Sequence, residues 1–191
     1  MLLYLINLQY AVIKEVNPKA TGFYCQQYCP KILFLLRHPA AVALSFARQG
    51  WLKARDTQVD TGDPDASVWE KFGYAYGSTM KRALDIIQNG CEPKIILYKN
   101  VALDPKEQFR QLFQSLEFDI PKNYEEMMHD YCYSEKLVKN NHQTRRISKD
   151  MIYKWCEQLS NQEIALIKNG FTISGLDLSS NEIDWLPSNN Q

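Results

Sequence analysis

The 191-residue sequence has no net charge, because 22 Lys and Arg residues are balanced by 22 Asp and Glu residues. A protein that attracts nucleic acid or an anionic membrane over long range usually carries a basic excess. Nucleic acid is therefore not an expected partner. With 45% hydrophobic and 23% charged residues, the composition is that of a globular domain, and any bound anion must be held by local groups.

The sequence also lacks a cysteine framework. Its five cysteines are widely spaced: Cys25, Cys29, Cys91, Cys132 and Cys156. An odd, scattered set does not predict structural disulfides and suits a reducing compartment, so we expect a cytoplasmic location. Cys25 and Cys29 are close, but no second Cys or His pair with the spacing of a zinc site follows them. We therefore expect no metal site, and interpret both residues as small core thiols.

A long apolar run is missing as well. The apolar start, MLLYLINLQYAVIKE, is shorter than the roughly 20 residues that span a bilayer and lacks the basic region and cleavage site of a signal peptide. It predicts core structure rather than a membrane segment. Because the chain begins abruptly inside core structure, we expect a segment upstream of Met1 to be missing, and any membrane anchor with it.

Short apolar runs alternate with helical patterns along the chain. Runs typical of strands buried on both faces occupy residues 32–36 and 95–98, and a weaker run occupies residues 11–14. This alternation predicts an α/β fold with a parallel sheet flanked by helices. We expect a single domain over residues 1–175 and a loosely held tail over residues 176–191.

Several helix starts are marked in the sequence. Pro39 suits the first position of a helix, and residues 68–87 have apolar side chains at helical spacing. Asp104 precedes a helix whose stripe we expect to be buried; the stripe consists of Phe109, Leu112, Phe113 and Leu116. Ser160 to Glu163 fits a capping box, and Gly170 is the expected stop of that helix. Residues 53–67 are polar and predict a loop.

Arg37 directly follows the predicted strand 32–36. Ligands bind at the carboxyl ends of the strands in parallel sheets, and the first turn of the following helix offers free N–H groups to an anion. With Ser45 inside that helix, the arrangement would suit a phosphate. Alternatively, Arg37 pairs with a local carboxylate, and the Ser45 hydroxyl bonds back to its own helix.

The segment KILFLLRHPAAVALS resembles the part of sulfotransferases that binds the 3′-phosphate of 3′-phosphoadenosine 5′-phosphosulfate. In that family a strand ends in Arg-Asp-Pro or a similar tripeptide, and a serine follows in the helix. Arg37 and Ser45 match the two phosphate ligands. The resemblance implies a fold like that of P-loop nucleotide-binding proteins, and a domain that transfers a sulfuryl group from this nucleotide co-substrate to an acceptor hydroxyl or amine, without a metal.

Two later segments resemble the same family in the same order. ILYKNVALDPKEQFRQLFQSLEF resembles a family strand and its following helix, and places Tyr98 where some relatives contact the adenine. NHQTRRISKDMIYKWCEQLSNQEI resembles the C-terminal region, where the basic pair Arg145 and Arg146 would close over the 3′-phosphate. The alternatives are a core tyrosine at position 98 and a solvated basic turn at positions 145 and 146.

The resemblance also leaves gaps. A base must accept the proton of the acceptor, and Glu15 is the candidate because no histidine follows the run 11–14. The family's Pro-x-Ser-Gly-Thr-like loop, which holds the 5′-phosphosulfate, is absent, and Gly22 stands alone. We therefore expect a fold that is truncated at its N-terminus, and the alternative function is a non-catalytic domain that binds the nucleotide or a protein partner. The acceptor, carbohydrate or small molecule, is not defined by the sequence.

Overall fold

The computed structural model describes residues 12–52, 60–133 and 149–176, together with Trp185. These residues form a mixed α/β arrangement. The two strands are β1 (Ile32–Leu36) and β2 (Pro93–Leu97). The helices are α1 (Thr21–Tyr28), α2 (Pro39–Arg48), α3 (Val68–Gln88), α4 (Tyr98–Leu103), α5 (Pro105–Ser115), α6 (Tyr124–Met128) and α7 (Asn161–Ile173). Short 3₁₀ turns lie at Pro18–Ala20 and Lys149–Met151, and a π-helical turn lies at His129–Tyr133.

Strands β1 and β2 pair in parallel, so the predicted α/β class with a parallel sheet is confirmed. The register runs from Ile32 opposite Pro93 to Leu36 opposite Leu97. Helices α2 and α3 lie between the two strands in sequence and supply the crossover that parallel pairing requires. The carboxyl ends of both strands therefore meet at one edge of the sheet.

The predicted strand at residues 11–14 is wrong for its described part. Val12 and Ile13 are 87% and 60% exposed, and residues 12–17 have neither helical nor strand structure. Ala11 lies outside the described residues. So short an apolar run does not by itself distinguish a strand from irregular chain. Among the described residues the sheet has two strands, and each has one unpaired edge.

The prediction that both strands are buried on both faces is also wrong. Leu33 and Leu35 of β1 are 41% and 58% exposed, and Ile95 of β2 is 40% exposed. An apolar run records which side chains could be buried, whereas burial also needs an element to cover each face. Strand β2 begins at Pro93, at a position where an edge strand tolerates proline, and ends one residue before Tyr98.

The helices that follow His38, Asp104 and Ser160 begin where the sequence predicts. Pro39 is the first residue of α2, and α3 spans the predicted range. The Asp104 carboxylate accepts from the Glu107 backbone N–H at 3.1 Å, and the capping box of Ser160 and Glu163 is complete. The predicted stripe of α5 is only half-buried. Residues 60–67 have no helix or strand, as predicted for the loop, and residues 53–59 lie outside the described part.

Gly170 does not end α7, contrary to prediction. The helix continues to Ile173, and Gly175, with a φ of 71°, takes the left-handed conformation that follows the helix end. Gly170 instead lies where α7 crosses α3. The Glu70 carbonyl oxygen would be 1.9 Å from a Cβ placed at Gly170, and the Ile167 carbonyl oxygen would be 2.1 Å from one placed at Gly73. Glycines thus allow the two backbones to touch.

The main core lies among α2, α3, α7 and the turns that precede α7. Trp155 is 1% exposed and Ile167 is fully buried. The buried cluster consists of Ala40, Ala41, Ala43, Leu52, Phe72, Trp155, Leu159, Ile164 and Ile167. The ring of Trp185, from the tail, lies 5.8 Å from the Phe171 ring, while the rest of residues 177–191 is outside the described part. Within the described residues, no helix is both long and apolar enough for a membrane span.

Candidate functional site

Arg37 and Tyr98 meet at the carboxyl ends of the two parallel strands. Arg37 follows β1, and Tyr98 follows β2 as the first residue of α4. The guanidinium carbon of Arg37 lies 5.0 Å from the centroid of the Tyr98 ring, which is a cation–π distance. Two residues that the sequence nominated separately therefore form one contact. They lie at the sheet edge where parallel folds bind ligands.

The Arg37 side chain has a hydrogen-bond donor without an acceptor among the described residues. Its Nε is buried, and it has no hydrogen-bond acceptor among the residues that the structure describes. A buried N–H of a charged group normally finds an acceptor, because leaving it unpaired costs free energy. An anionic ligand at this edge would supply one. The arrangement thus fits a phosphate beside a ring on which a base could stack.

Tyr76 of α3 fixes the backbone of Arg37. Its half-buried hydroxyl donates to the Arg37 carbonyl oxygen at 2.8 Å. This contact ties α3 to the end of β1 and so helps to place the guanidinium. The helical spacing of residues 68–87 places Tyr76 on the apolar face of α3 and gives it no further role. The available signal was its hydroxyl, because a tyrosine on a buried face generally needs a hydrogen-bond partner.

The burial of Tyr76 predicts a loss of stability at alkaline pH. Burial raises the pKa of Tyr76 to about 12 from its ordinary 10. The unfolded chain therefore loses this proton first, and stability present below pH 10 decreases as the pH rises toward 12. We expect Tyr76 to account for about 1 kcal/mol of the decrease in unfolding free energy between pH 10 and pH 11.

Urea denaturation of the wild type and of Tyr76→Phe at both pH values measures this contribution. Between pH 10 and pH 11 the unfolding free energy of the variant should decrease by about 1 kcal/mol less than that of the wild type, because phenylalanine has no hydroxyl that titrates. At neutral pH the variant should already be about 1 kcal/mol less stable, because the Arg37 carbonyl loses its donor. Equal pH dependence in the two proteins would contradict the assignment.

His38 caps α2, a role that the sequence analysis missed. Its Nδ1 accepts from the Ala40 backbone N–H at 3.2 Å, so one of the N–H groups expected to be open to an anion is in use. The imidazole stacks on Trp155, with ring centroids 4.1 Å apart and planes 10° apart. The signal was positional, because the residue before a proline at the first helical position is the N-cap.

Ser45 is exposed on α2 and is not brought to Arg37. It is the seventh residue of the helix, about 9 Å along the axis from Pro39. No hydrogen bond joins its hydroxyl to Arg37 among the described residues. Its role as a phosphate ligand therefore remains a prediction that depends on the resemblance.

Glu15 is exposed and bonded to its own turn. Its Oε1 accepts from the Asn17 N–H at 2.7 Å and the Val16 N–H at 2.8 Å. These two backbone donors, Asn17 more than Val16, lower the pKa of the Glu15 carboxyl, and so make it a weaker base. The geometry gives no support to a role as general base. Arg145 and Arg146 lie outside the described residues.

Comparison with known proteins adds no family to this geometry. No family model, curated protein or solved structure matches the chain. Within the described ranges, no group of three or more His, Cys, Asp or Glu side chains is arranged to hold a metal ion. The resemblance in the sequence and the contact between Arg37 and Tyr98 are therefore the basis for a functional proposal.

Proposed function

We propose that this chain is a sulfotransferase-family domain with a P-loop-like nucleotide fold. It binds 3′-phosphoadenosine 5′-phosphosulfate and transfers its sulfuryl group to a hydroxyl or amine acceptor, a carbohydrate or a small molecule. The observation that carries the proposal is Arg37, whose buried Nε has no acceptor among the described residues and whose guanidinium faces Tyr98. A forked cation beside an aromatic ring suits a phosphorylated adenosine.

The nominated residues other than Glu15 each have a part in this proposal. Arg37 binds the 3′-phosphate, and Tyr98 lies beside the adenine. By resemblance, Ser45, Arg145 and Arg146 complete the phosphate site. In the transfer the acceptor oxygen or nitrogen forms a bond to sulfur, the bond from sulfur to the phosphate oxygen breaks, and a base takes the acceptor proton.

The alternative is a domain that binds the nucleotide or a protein partner without chemistry. Gly22 favours it, because this residue lies inside α1 rather than in a phosphate-binding loop. A nest of backbone N–H groups for the phosphosulfate is therefore not formed there. The hydrogen bonds of Glu15 to its own turn also favour this alternative, since they occupy the carboxylate that the sequence suggested as general base and make it a weaker base.

Replacement of Arg37 tests nucleotide binding directly. The chain should bind adenosine 3′,5′-bisphosphate more tightly than adenosine 5′-monophosphate. We expect Arg37→Ala to remove most of that preference, about 2–4 kcal/mol, or roughly 30- to 1,000-fold in Kd, because a charged contact is lost from a half-buried position. Titration calorimetry with both nucleotides measures the preference.

Two variants control for charge. Arg82→Ala removes the same charge from an exposed position on α3 and should leave the preference unchanged. Arg37→Lys keeps the charge but loses the fork and should bind with intermediate affinity. Equal affinity of the wild type for the two nucleotides would rule out the phosphate assignment. Once binding is established, a radiolabelled transfer assay over a broad acceptor panel separates the enzyme from the binding-only alternative.

A further inference from the structure

Three thiols meet at the opposite end of the sheet from Arg37. Cys25 lies in α1, Cys29 follows the end of α1, and Cys91 lies in the turn between α3 and β2. The Cys29 sulfur is 4.0 Å from the carbonyl oxygen of Gly90. Cys25 Cβ would lie 4.0 Å from a Cβ placed at Gly90. Both cysteines of α1 therefore pack against the residue that precedes Cys91.

The Cys91 thiol lies close enough to the thiols of Cys25 and Cys29 for both to influence its pKa. Cys29 is exposed, whereas Cys25 and Cys91 are half-buried. Partial burial, followed by the neighbouring Cys25 thiol, raises the pKa of the Cys91 thiol. Because the thiolate is the reactive form, Cys91 is poorly suited to react first with an oxidant, and the exposed Cys29 is better placed.

We propose that Cys29 and Cys91 form a peroxide-sensitive thiol pair that closes to a disulfide. The Cys29 thiolate attacks a peroxide oxygen and breaks the O–O bond, so that Cys29 becomes a sulfenic acid and water is released. The Cys91 sulfur then attacks the Cys29 sulfur, the S–O bond breaks, and a second water leaves. The two thiols together supply the two electrons that reduce hydrogen peroxide.

The disulfide would join the segments that lead into the first residues of β1 and β2. Cys29 is three residues before Ile32, and Cys91 is two residues before Pro93, and these two strand residues are the first pair of the sheet. The bond would therefore fix the end of α1 to the turn after α3, at the amino edge of the sheet. This inference does not depend on the proposed nucleotide site, which lies at the carboxyl edge.

Peptide mapping after graded hydrogen peroxide treatment of the full chain tests the pair. We expect a Cys29–Cys91 cross-linked peptide, about 2 Da lighter than the two thiol peptides together, at doses that leave Cys132 and Cys156 as thiols. In Cys91→Ser the Cys29 sulfenic acid lacks its partner, so labelling of Cys29 by dimedone should rise severalfold. Cys156→Ser is the matched control, and it should label like the wild type.

The possible mapping results distinguish the proposed Cys29–Cys91 pair from other patterns of oxidation. Recovery of the Cys29–Cys91 peptide from the wild type supports the proposal even if Cys91→Ser folds poorly, because the mapping needs no variant. A bond from Cys91 to Cys25 would overturn the assignment of Cys29 as the thiol that reacts first. Retention of Cys91 as a thiol while Cys132 or Cys156 oxidises would overturn the pair altogether.

Discussion

Replacing Gly170 with alanine is expected to destabilise the protein by at least about 3 kcal/mol. The new Cβ would lie 1.9 Å from the Glu70 carbonyl oxygen, 2.8 Å from the Glu70 carbonyl carbon and 2.9 Å from the Tyr74 backbone nitrogen. All three atoms belong to the backbone of α3, which cannot move aside as a side chain could. The helix propensity that alanine adds, about 1 kcal/mol, is too small to compensate.

The control for this substitution is Gly90→Ala. The atom nearest to a Cβ at Gly90 is 4.0 Å away, an ordinary van der Waals contact, so its unfolding free energy should stay within about 0.5 kcal/mol of the wild type. Urea denaturation of both variants at one pH gives the comparison. An alanine at position 170 that is as stable as one at position 90 would show that α3 and α7 do not cross at backbone contact.

Truncation of Trp155 should be as costly, at about 3–5 kcal/mol. The side chain is 1% exposed and fills the centre of the cluster formed by α2, α3 and α7. Trp155→Ala removes this volume and leaves a cavity that the packed helices can close only in part. It also removes the ring on which His38 stacks, and so weakens the capped start of α2. Because a small domain has only about 5–15 kcal/mol in total, much of its stability would be lost.

Trp51→Ala provides the matched comparison. Trp51 is 56% exposed and makes an edge-to-face contact with Phe46 at 5.5 Å, so its loss should cost less than about 1.5 kcal/mol. Thermal and urea unfolding of the two variants measure the difference. Similar losses at positions 51 and 155 would mean that the core does not centre on Trp155.

Among the described helices, α2, α3, α5 and α7 could be predicted because their start signals are local, whereas α1, α4 and α6 were not predicted. Pro39, Asp104 and Ser160 each act on backbone groups within a few residues of their own position, and the structure has a helix at each. Strand 32–36 was equally clear, since a short apolar run lies between Lys31 and Arg37. These features need no knowledge of the rest of the chain.

What the sequence could not supply was information about partners far along the chain. Gly170 was expected to stop a helix because glycine is common at helix ends, but here its missing side chain allows α3 to approach. The exposure of Leu33 and Leu35 depends on what covers the sheet, which no local pattern states. The strand expected at residues 11–14 failed for the same reason, because a strand requires a neighbour.

The sequence indicated the two residues at the strand ends of the candidate site but not the residues that position them. Arg37 and Tyr98 were nominated because each stands just after an apolar run, and the structure brings the two side chains into contact where the carboxyl ends of the parallel strands meet. Their role in binding a ligand stays a prediction. Tyr76 was missed because its role depends on a carbonyl 39 residues away. The cap by His38 had a local signal in Pro39, whereas its stacking on Trp155 depends on a ring from another segment. Their contacts are set by the packing of α3 and of the turn at Trp155.

The glycine-lined crossing of α3 and α7 has a consequence for synthesis on the ribosome. Helix α3 ends at Gln88 and α7 at Ile173, so about 85 further residues must be translated before α3 can meet its partner. At bacterial or eukaryotic elongation rates this interval lasts about 4–17 s. Throughout it the apolar side of α3 around Phe72 has no α7 to cover it, and the nascent chain presents a binding surface to chaperones.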